Sequence, residues 1–128
     1  MFTILVVEDT PVIREPLVRL LQIEGFHTIA AANGNEAIQQ LEHGKIDLVL
    51  LDVLMPRMHG IALLEHLRAD ARHADLPCIA LTGSEDTAHK RRLRELGVVT
   101  ILHKSRFSAE RLLESIRGVL SPGDAARV

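Results

Sequence analysis

Tryptophan and tyrosine are absent and phenylalanine occurs three times, so the chain lacks the stacking rings on which single-stranded nucleic acid is bound. The formal charge of −2 gives no reason to expect nucleic acid as a partner of the whole domain. The single cysteine, Cys78, excludes an internal disulfide. It suits a reducing compartment and, lying in an apolar run, is expected to be a packed thiol. No stretch reaches the roughly 20 apolar residues of a membrane span. The first apolar run has no basic segment ahead of it, so no secretion signal is expected and the chain is read as cytoplasmic and free of membrane. What remains is 128 residues, 47% hydrophobic and 25% charged, an ordinary balance for one domain with its own core.

The most informative stretch is Leu48-Val49-Leu50-Leu51-Asp52, followed by Val53-Leu54-Met55-Pro56. Four consecutive apolar residues fit a strand buried on both faces, and the run ends on a carboxylate. Three other apolar runs end in Glu8-Asp9, Thr82 and Lys104. In an open parallel sheet the carboxyl ends of the strands frame the ligand crevice, so these four ends are where chemistry is expected.

Between the strands the spacing is helical. Ile13, Leu17, Leu20 and Leu21 form one apolar face that stops at Gly25, a C-terminal glycine signal. Pro16 falls inside that pattern. A helix starting at Pro11 would lose its bond to the Val12 carbonyl there, so a distorted first turn or a later start is expected. His27 to Ala31 is the second strand. Asn33 with Glu36 has capping-box spacing ahead of Ala37, Ile38 and Leu41. Gly60 opens a third helix carrying Ile61, Leu64, Leu67 and Ala71. A strand from Cys78 to Leu81 follows, and Ser84 is read as the N-cap of a fourth helix with Glu85 and Asp86 in its first turn. Val98 to Leu102 is the fifth strand, and Ser108 caps a last helix stopped by Ser121-Pro122-Gly123. Strands alternating with helices predict an α/β fold, a flavodoxin-like (βα)5 architecture. Its five-stranded parallel sheet has order 2-1-3-4-5 and helices on both faces. That order makes the first and third strands neighbours and brings Glu8, Asp9 and Asp52 to one crevice.

Three carboxylates gathered in a crevice repel one another and call for a cation; magnesium, with its preference for oxygen ligands shared with phosphate, is the natural choice. An aspartate can act as a nucleophile and become an acyl phosphate, and transfer needs positive charge around the phosphoryl oxygens. Lys104 supplies charge, Thr82 a hydroxyl, and Gly83 leaves room. Each residue also has a plain structural reading. Glu8-Asp9 could form a turn, Asp52 could cap a turn before Pro56, Thr82 could simply end a strand, and Lys104 could be a snorkelling surface amine.

Across nearly its whole length the sequence resembles the receiver domains of two-component response regulators. The likeness is carried by Val6-Val7-Glu8-Asp9, Asp52-Val53-Leu54-Met55-Pro56 with Met58 and Gly60, Leu81-Thr82-Gly83, and Lys104. It implies a phosphorelay switch in which Asp52 is the phosphoacceptor and Thr82 and Lys104 hold the phosphoryl oxygens. It further implies that Glu8, Asp9, Asp52 and the backbone carbonyl of Leu54 hold Mg2+. The donor would be a phosphohistidine on a histidine kinase or phosphotransfer protein. Such a chain catalyses its own phosphorylation and dephosphorylation and is not an enzyme acting on a separate substrate. The receiver domain is expected over 1–120, with 121–128 a flexible tail.

Two positions depart from the family pattern. Ile101 stands where the family usually has an aromatic switch residue, and Ser105 follows Lys104 where a proline in a cis peptide is usual; the Lys104-Ser105 bond is expected to be trans. These departures keep open a pseudo-receiver that binds a partner without being phosphorylated. A magnesium phosphatase of the haloacid dehalogenase type fits less well. It needs a second aspartate two residues past its nucleophile, where Pro11 and Leu54 stand here. Of the seven histidines, His66 and His73 are read on one helix face, about 10.5 Å apart along the axis and too far to share an ion. The run His89-Lys90-Arg91-Arg92 with Arg94 makes the fourth helix basic. It reads either as a solvated face or as a docking surface, including a homodimer through the fourth and fifth helices. The cognate kinase and the downstream target are not legible in the residues.

Overall fold

The computed structural model describes residues 1–53 and 60–120. Leu54, Met55, Pro56, Met58 and the segment 121–128 lie outside the described residues. The elements alternate in chain order as β1 (Thr3–Val7), α1 (Pro11–Ile23), β2 (His27–Ala31), α2 (Gly34–His43), β3 (Leu48–Asp52), α3 (Gly60–Ala69), β4 (Cys78–Thr82), α4 (Thr87–Glu95), β5 (Val98–His103) and α5 (Ala109–Val119). The five strands pair in parallel in the order β2-β1-β3-β4-β5.

Alternation along each strand divides the core into two layers. Leu5, Val7, Val49, Leu51, Cys78 and Ala80 face one side, where Ala37 and Leu41 of α2, Leu63, Leu64 and Leu67 of α3 and Leu93 of α4 cover them. Ile4, Val6, Leu48, Leu50, Ile79 and Leu81 face the other, under Leu17 and Leu21 of α1 and Leu112, Leu113 and Ile116 of α5. β3 and β4 are buried along their full length, as strands covered on both faces must be.

Several local expectations are revised. α1 starts at Pro11 and continues through Pro16, so the later start does not occur. The Thr10 carbonyl accepts from both Ile13 N (3.0 Å) and Arg14 N (2.8 Å) in its first turn. Pro16 lies on the exposed side of the helix and Val12 is 80% exposed, so the carbonyl deprived of its helical donor lies on the side open to water. At α2, Asn33 Oδ1 accepts from Glu36 N at 2.9 Å, but the returning Glu36 carboxylate takes the N–H of Ala32, one residue before the cap. α4 begins at Thr87. Asp86, not Ser84, is its N-cap, accepting from Ala88 N at 2.9 Å, while Ser84 Oγ accepts from Asp86 N at 3.1 Å within the preceding loop. His73 is not on α3 with His66 but in the turn beyond it, its Nδ1 3.5 Å from Asp70 Oδ2.

Cys78 is fully buried. Burial pushes its thiol up to about 11, against the opposing charge of Arg68. The thiolate is the reactive form, so native protein at pH 8 is expected to give no rapid reaction with Ellman's reagent, and one equivalent in urea. Rapid labelling without denaturant would contradict the packed-thiol reading.

Candidate functional site

The site lies at the carboxyl ends of β1, β3, β4 and β5. Val7 pairs with Leu51, Asp52 with Leu81 and Thr82 with His103. This register places Glu8, Asp52, Thr82 and Lys104 in a row across the sheet. The backbone continues to zip past the strands: Glu8 N donates to Ala31 O, Val53 N to Leu81 O and Lys104 N to Thr82 O, each at 3.0 Å. Gly60 closes the far side of the β3 end. Its N–H donates to Val53 O at 2.9 Å, and a Cβ there would lie 2.7 Å from Val53 Cα. Only glycine lets α3 start that close to the residue after Asp52.

Glu8, Asp52 and Thr82 are each 1% exposed, the three buried polar or charged side chains of the described residues. Carboxylate oxygens of Glu8, Asp9 and Asp52 lie within 4.8 Å of one another. Lys104 Nζ donates to Asp52 Oδ2 at 2.6 Å and stands 3.7 Å from Glu8 Oε1. The Glu8-Asp9 turn is held by its own neighbours, since Arg14 donates to the Glu8 carbonyl at 2.8 Å and Thr10 N to Glu8 Oε1 at 3.2 Å. Burial, the closeness of the Asp52 carboxyl group and its charge push Glu8 up to about 8. Burial works against the charge of Lys104, but the hydrogen bond to Asp52 and the charges of Asp52, Glu8 and Asp9 outweigh it and raise its pKa.

Whether the residues fit a metal is tested by Glu8. Its Oε2 is buried and meets no hydrogen-bond donor among the described residues, an arrangement that is costly for a carboxylate unless a cation or proton answers it. Three carboxylates with one orphaned oxygen are the hard-oxygen donor set of magnesium, so the residues fit it. The Leu54 carbonyl, the fourth expected ligand, is outside the described residues.

Sequence reasoning brought together Glu8, Asp9, Asp52 and Lys104 as the structure does. Thr82 is at the same edge, but its hydroxyl is engaged elsewhere: Oγ1 accepts from Ser84 N at 3.1 Å and lies 3.2 Å from His89 Nε2. His89 was legible only as part of a basic run; its position seven residues past Thr82 gives no signal without knowing where α4 begins. Glu85 was also missed. It faces Lys90 at 3.2 Å, His103 at 3.1 Å and Arg106, tying the β4-α4 loop to the end of β5. Ile101 and Phe107 line, with Thr82, an open cleft of about 370 Å³ beside this cluster. No described peptide bond is cis, so Lys104-Ser105 is trans.

The family model described as response regulator receiver domain matches residues 4–117. The chain belongs to this family. Among curated relatives of this receiver domain, the sensory transduction protein RegX3 of Mycolicibacterium smegmatis is 34% identical over 123 residues, covering 96% of this chain and 52% of that protein. The receiver domain of a signal transduction histidine kinase from Syntrophus aciditrophicus superposes with a TM-score of 0.86 at 33% identity, over 94% of this chain and 91% of that one. Response regulator protein TrrA from Thermotoga maritima, solved in complex with Mg2+ and BeF, gives 0.80 at 33% identity, over 93% and 99%. The chain spans about half the length of the curated relatives it matches. Among the described residues of the receiver domain, no helix is long and apolar enough to cross a membrane.

Proposed function

We propose that this receiver domain is a phosphorelay switch that takes a phosphoryl group onto Asp52 from a phosphohistidine donor, on a histidine kinase or phosphotransfer protein. The observation that carries the reading is the buried Asp52 carboxylate, clustered with Glu8 and Asp9 and bonded to Lys104 at 2.6 Å. Glu8, Asp9 and Asp52 would hold Mg2+, which supplies positive charge to the oxygens of the transferring group. Asp52 attacks phosphorus in line and the donor imidazole leaves with the electron pair of the broken P–N bond. Lys104, which already faces both Asp52 and Glu8, stabilises the negative charge that arrives on the phosphoryl oxygens. The Thr82 hydroxyl, at the next strand end, donates to one of those oxygens once it is released from its present partners. Phosphorylation then changes the surface this domain offers to its downstream partner.

Wild-type protein incubated with acetyl phosphate and magnesium is expected to gain one phosphoryl group per chain by mass spectrometry, removed by hydroxylamine as an acyl phosphate is. Chelation of magnesium should abolish the gain. No uptake with magnesium present would favour the pseudo-receiver, and continuous phosphate release from a generic phosphomonoester would favour the phosphatase.

A further inference from the structure

A threonine hydroxyl has one proton and two lone pairs. At Thr82 one lone pair takes the Ser84 N–H at 3.1 Å, and the remaining capacity faces His89 Nε2 at 3.2 Å. If Nε2 carries a proton, it fills the second lone pair and the hydroxyl proton is free to turn toward Asp52. If Nε2 is bare, it takes the hydroxyl proton itself, and a phosphoryl oxygen on Asp52 must compete for it. We propose that His89 is a positioning residue. Its bare Nε2 holds the Thr82 hydroxyl in the resting protein, and phosphorylation of Asp52 draws that hydroxyl away and releases the imidazole. The inference rests on Asp52 being the phosphoacceptor.

The competition has a direction because a hydrogen bond to an anionic phosphoryl oxygen is roughly twice as strong as one between neutral groups. The consequence falls on α4. His89 is its third residue, half-buried in the first turn, while Leu93 one turn on is fully buried and anchors the helix. Loss of the Thr82 bond therefore removes one tether of the first turn, which keeps its Asp86 cap, and leaves the rest of the helix in place. Lys90, next in sequence, is tied through Glu85 to His103 and Arg106, so a shift of the first turn reaches the β5-α5 connection. Ile101, which lines the same cleft as Thr82, has no polar tip with which to take over the hydroxyl. The direct side-chain link from the hydroxyl to α4 is His89, beside the relay through Ser84 to the Asp86 cap.

The test is nitrogen-15 NMR of the histidine rings in protein with and without magnesium and beryllofluoride, a phosphoryl mimic. On adduct formation the His89 Nε2 resonance should move from that of a bonded to that of a released imidazole nitrogen. His89→Phe keeps a ring and removes the competing bond, so beryllofluoride should bind about fivefold more tightly, and the amide shifts over Thr82 to Lys90 should shrink. A wild-type adduct that leaves Nε2 unmoved overturns the proposal alone, whether or not the variant folds. So does a His89→Phe protein that binds the mimic no more tightly. Failure of the wild type to form any adduct overturns the phosphoacceptor reading and this proposal with it.

Discussion

In Asp52→Asn, acetyl phosphate and magnesium are expected to leave the protein unlabelled, and in Lys104→Ala the initial rate of labelling should fall by about a hundredfold or more. The asparagine amide is close in shape but has lost the anionic oxygen that attacks phosphorus. Lys104 acts differently. Its ammonium stands 2.6 Å from Asp52 and 3.7 Å from Glu8, and with magnesium keeping both carboxylates ionised, two unit charges about 4 Å apart interact by about 4 kcal/mol at an effective dielectric near 20. Three carboxylates with a divalent metal and one lysine sum to zero charge; without the lysine, the incoming phosphoryl group enters a site already negative. Lys104→Arg keeps the charge, but its planar fork cannot occupy the place of a compact ammonium, so partial recovery is the expected result. Time courses by mass spectrometry read all three variants. Undiminished labelling of Asp52→Asn would move the acceptor elsewhere, and a normal rate in Lys104→Ala would remove the lysine from the reaction.

The largest effect on stability is expected at Arg68, far from this chemistry. Its Nε donates to Leu96 O at 2.6 Å and its Nη1 to the carbonyls of His73, Ala74 and Leu76 at 3.1, 3.1 and 2.8 Å. Its Nη2 lies 3.6 Å from Cys78 Sγ. One half-buried guanidinium thus joins the end of α3, the turn after it, the start of β4 and the C-cap of α4. Gly97, at φ +81°, brings the chain past it so closely that a Cβ would stand 3.3 Å from Nη2. Truncation leaves several carbonyls without donors, and each buried one costs about 1 to 3 kcal/mol. Partial access of water to the cavity left behind lowers the total, so Arg68→Ala is expected to lose about 3 kcal/mol. In urea this moves the unfolding midpoint down by roughly 1 to 3 M for a domain of this size. Lysine has no fork with which to span four carbonyls, and Arg68→Lys should recover less than half. A midpoint shift under about 0.5 M in Arg68→Ala would mean that water replaces the guanidinium without loss.

The strand ends were legible because burial on both faces writes itself as unbroken apolar runs, and the first polar residue after each run must stand where the sheet meets solvent or ligand. Leu48 to Leu51 before Asp52 and Ile4 to Val7 before Glu8 carry that signal directly. Alternation with helices leaves few sheet orders, and order 2-1-3-4-5 brings Glu8, Asp9 and Asp52 together by topology alone. Ser108 as the cap of α5 and Asn33 as the cap of α2 were legible for a similar reason, since both bonds are local and span three residues.

What the sequence by itself determined is therefore the set of groups at the crevice and the topology that gathers them. Tertiary packing decided which of those groups touch. Ser84 and Asp86 are both good caps, and local propensity does not choose between them; the packing of Leu93 against the sheet, with the Thr82 hydroxyl taking the Ser84 N–H, goes with the start at Thr87. A helix turns about 100° per residue, so a start two residues earlier would not give His89 the same orientation. The bonds of Arg68 to Leu96 and of Glu85 to Arg106 span 28 and 21 residues. They exist only because two helices and a strand have already packed. Long charged side chains have several partners within reach of any one backbone, and it is the fixed distance between elements, set by the apolar core, that selects one of them.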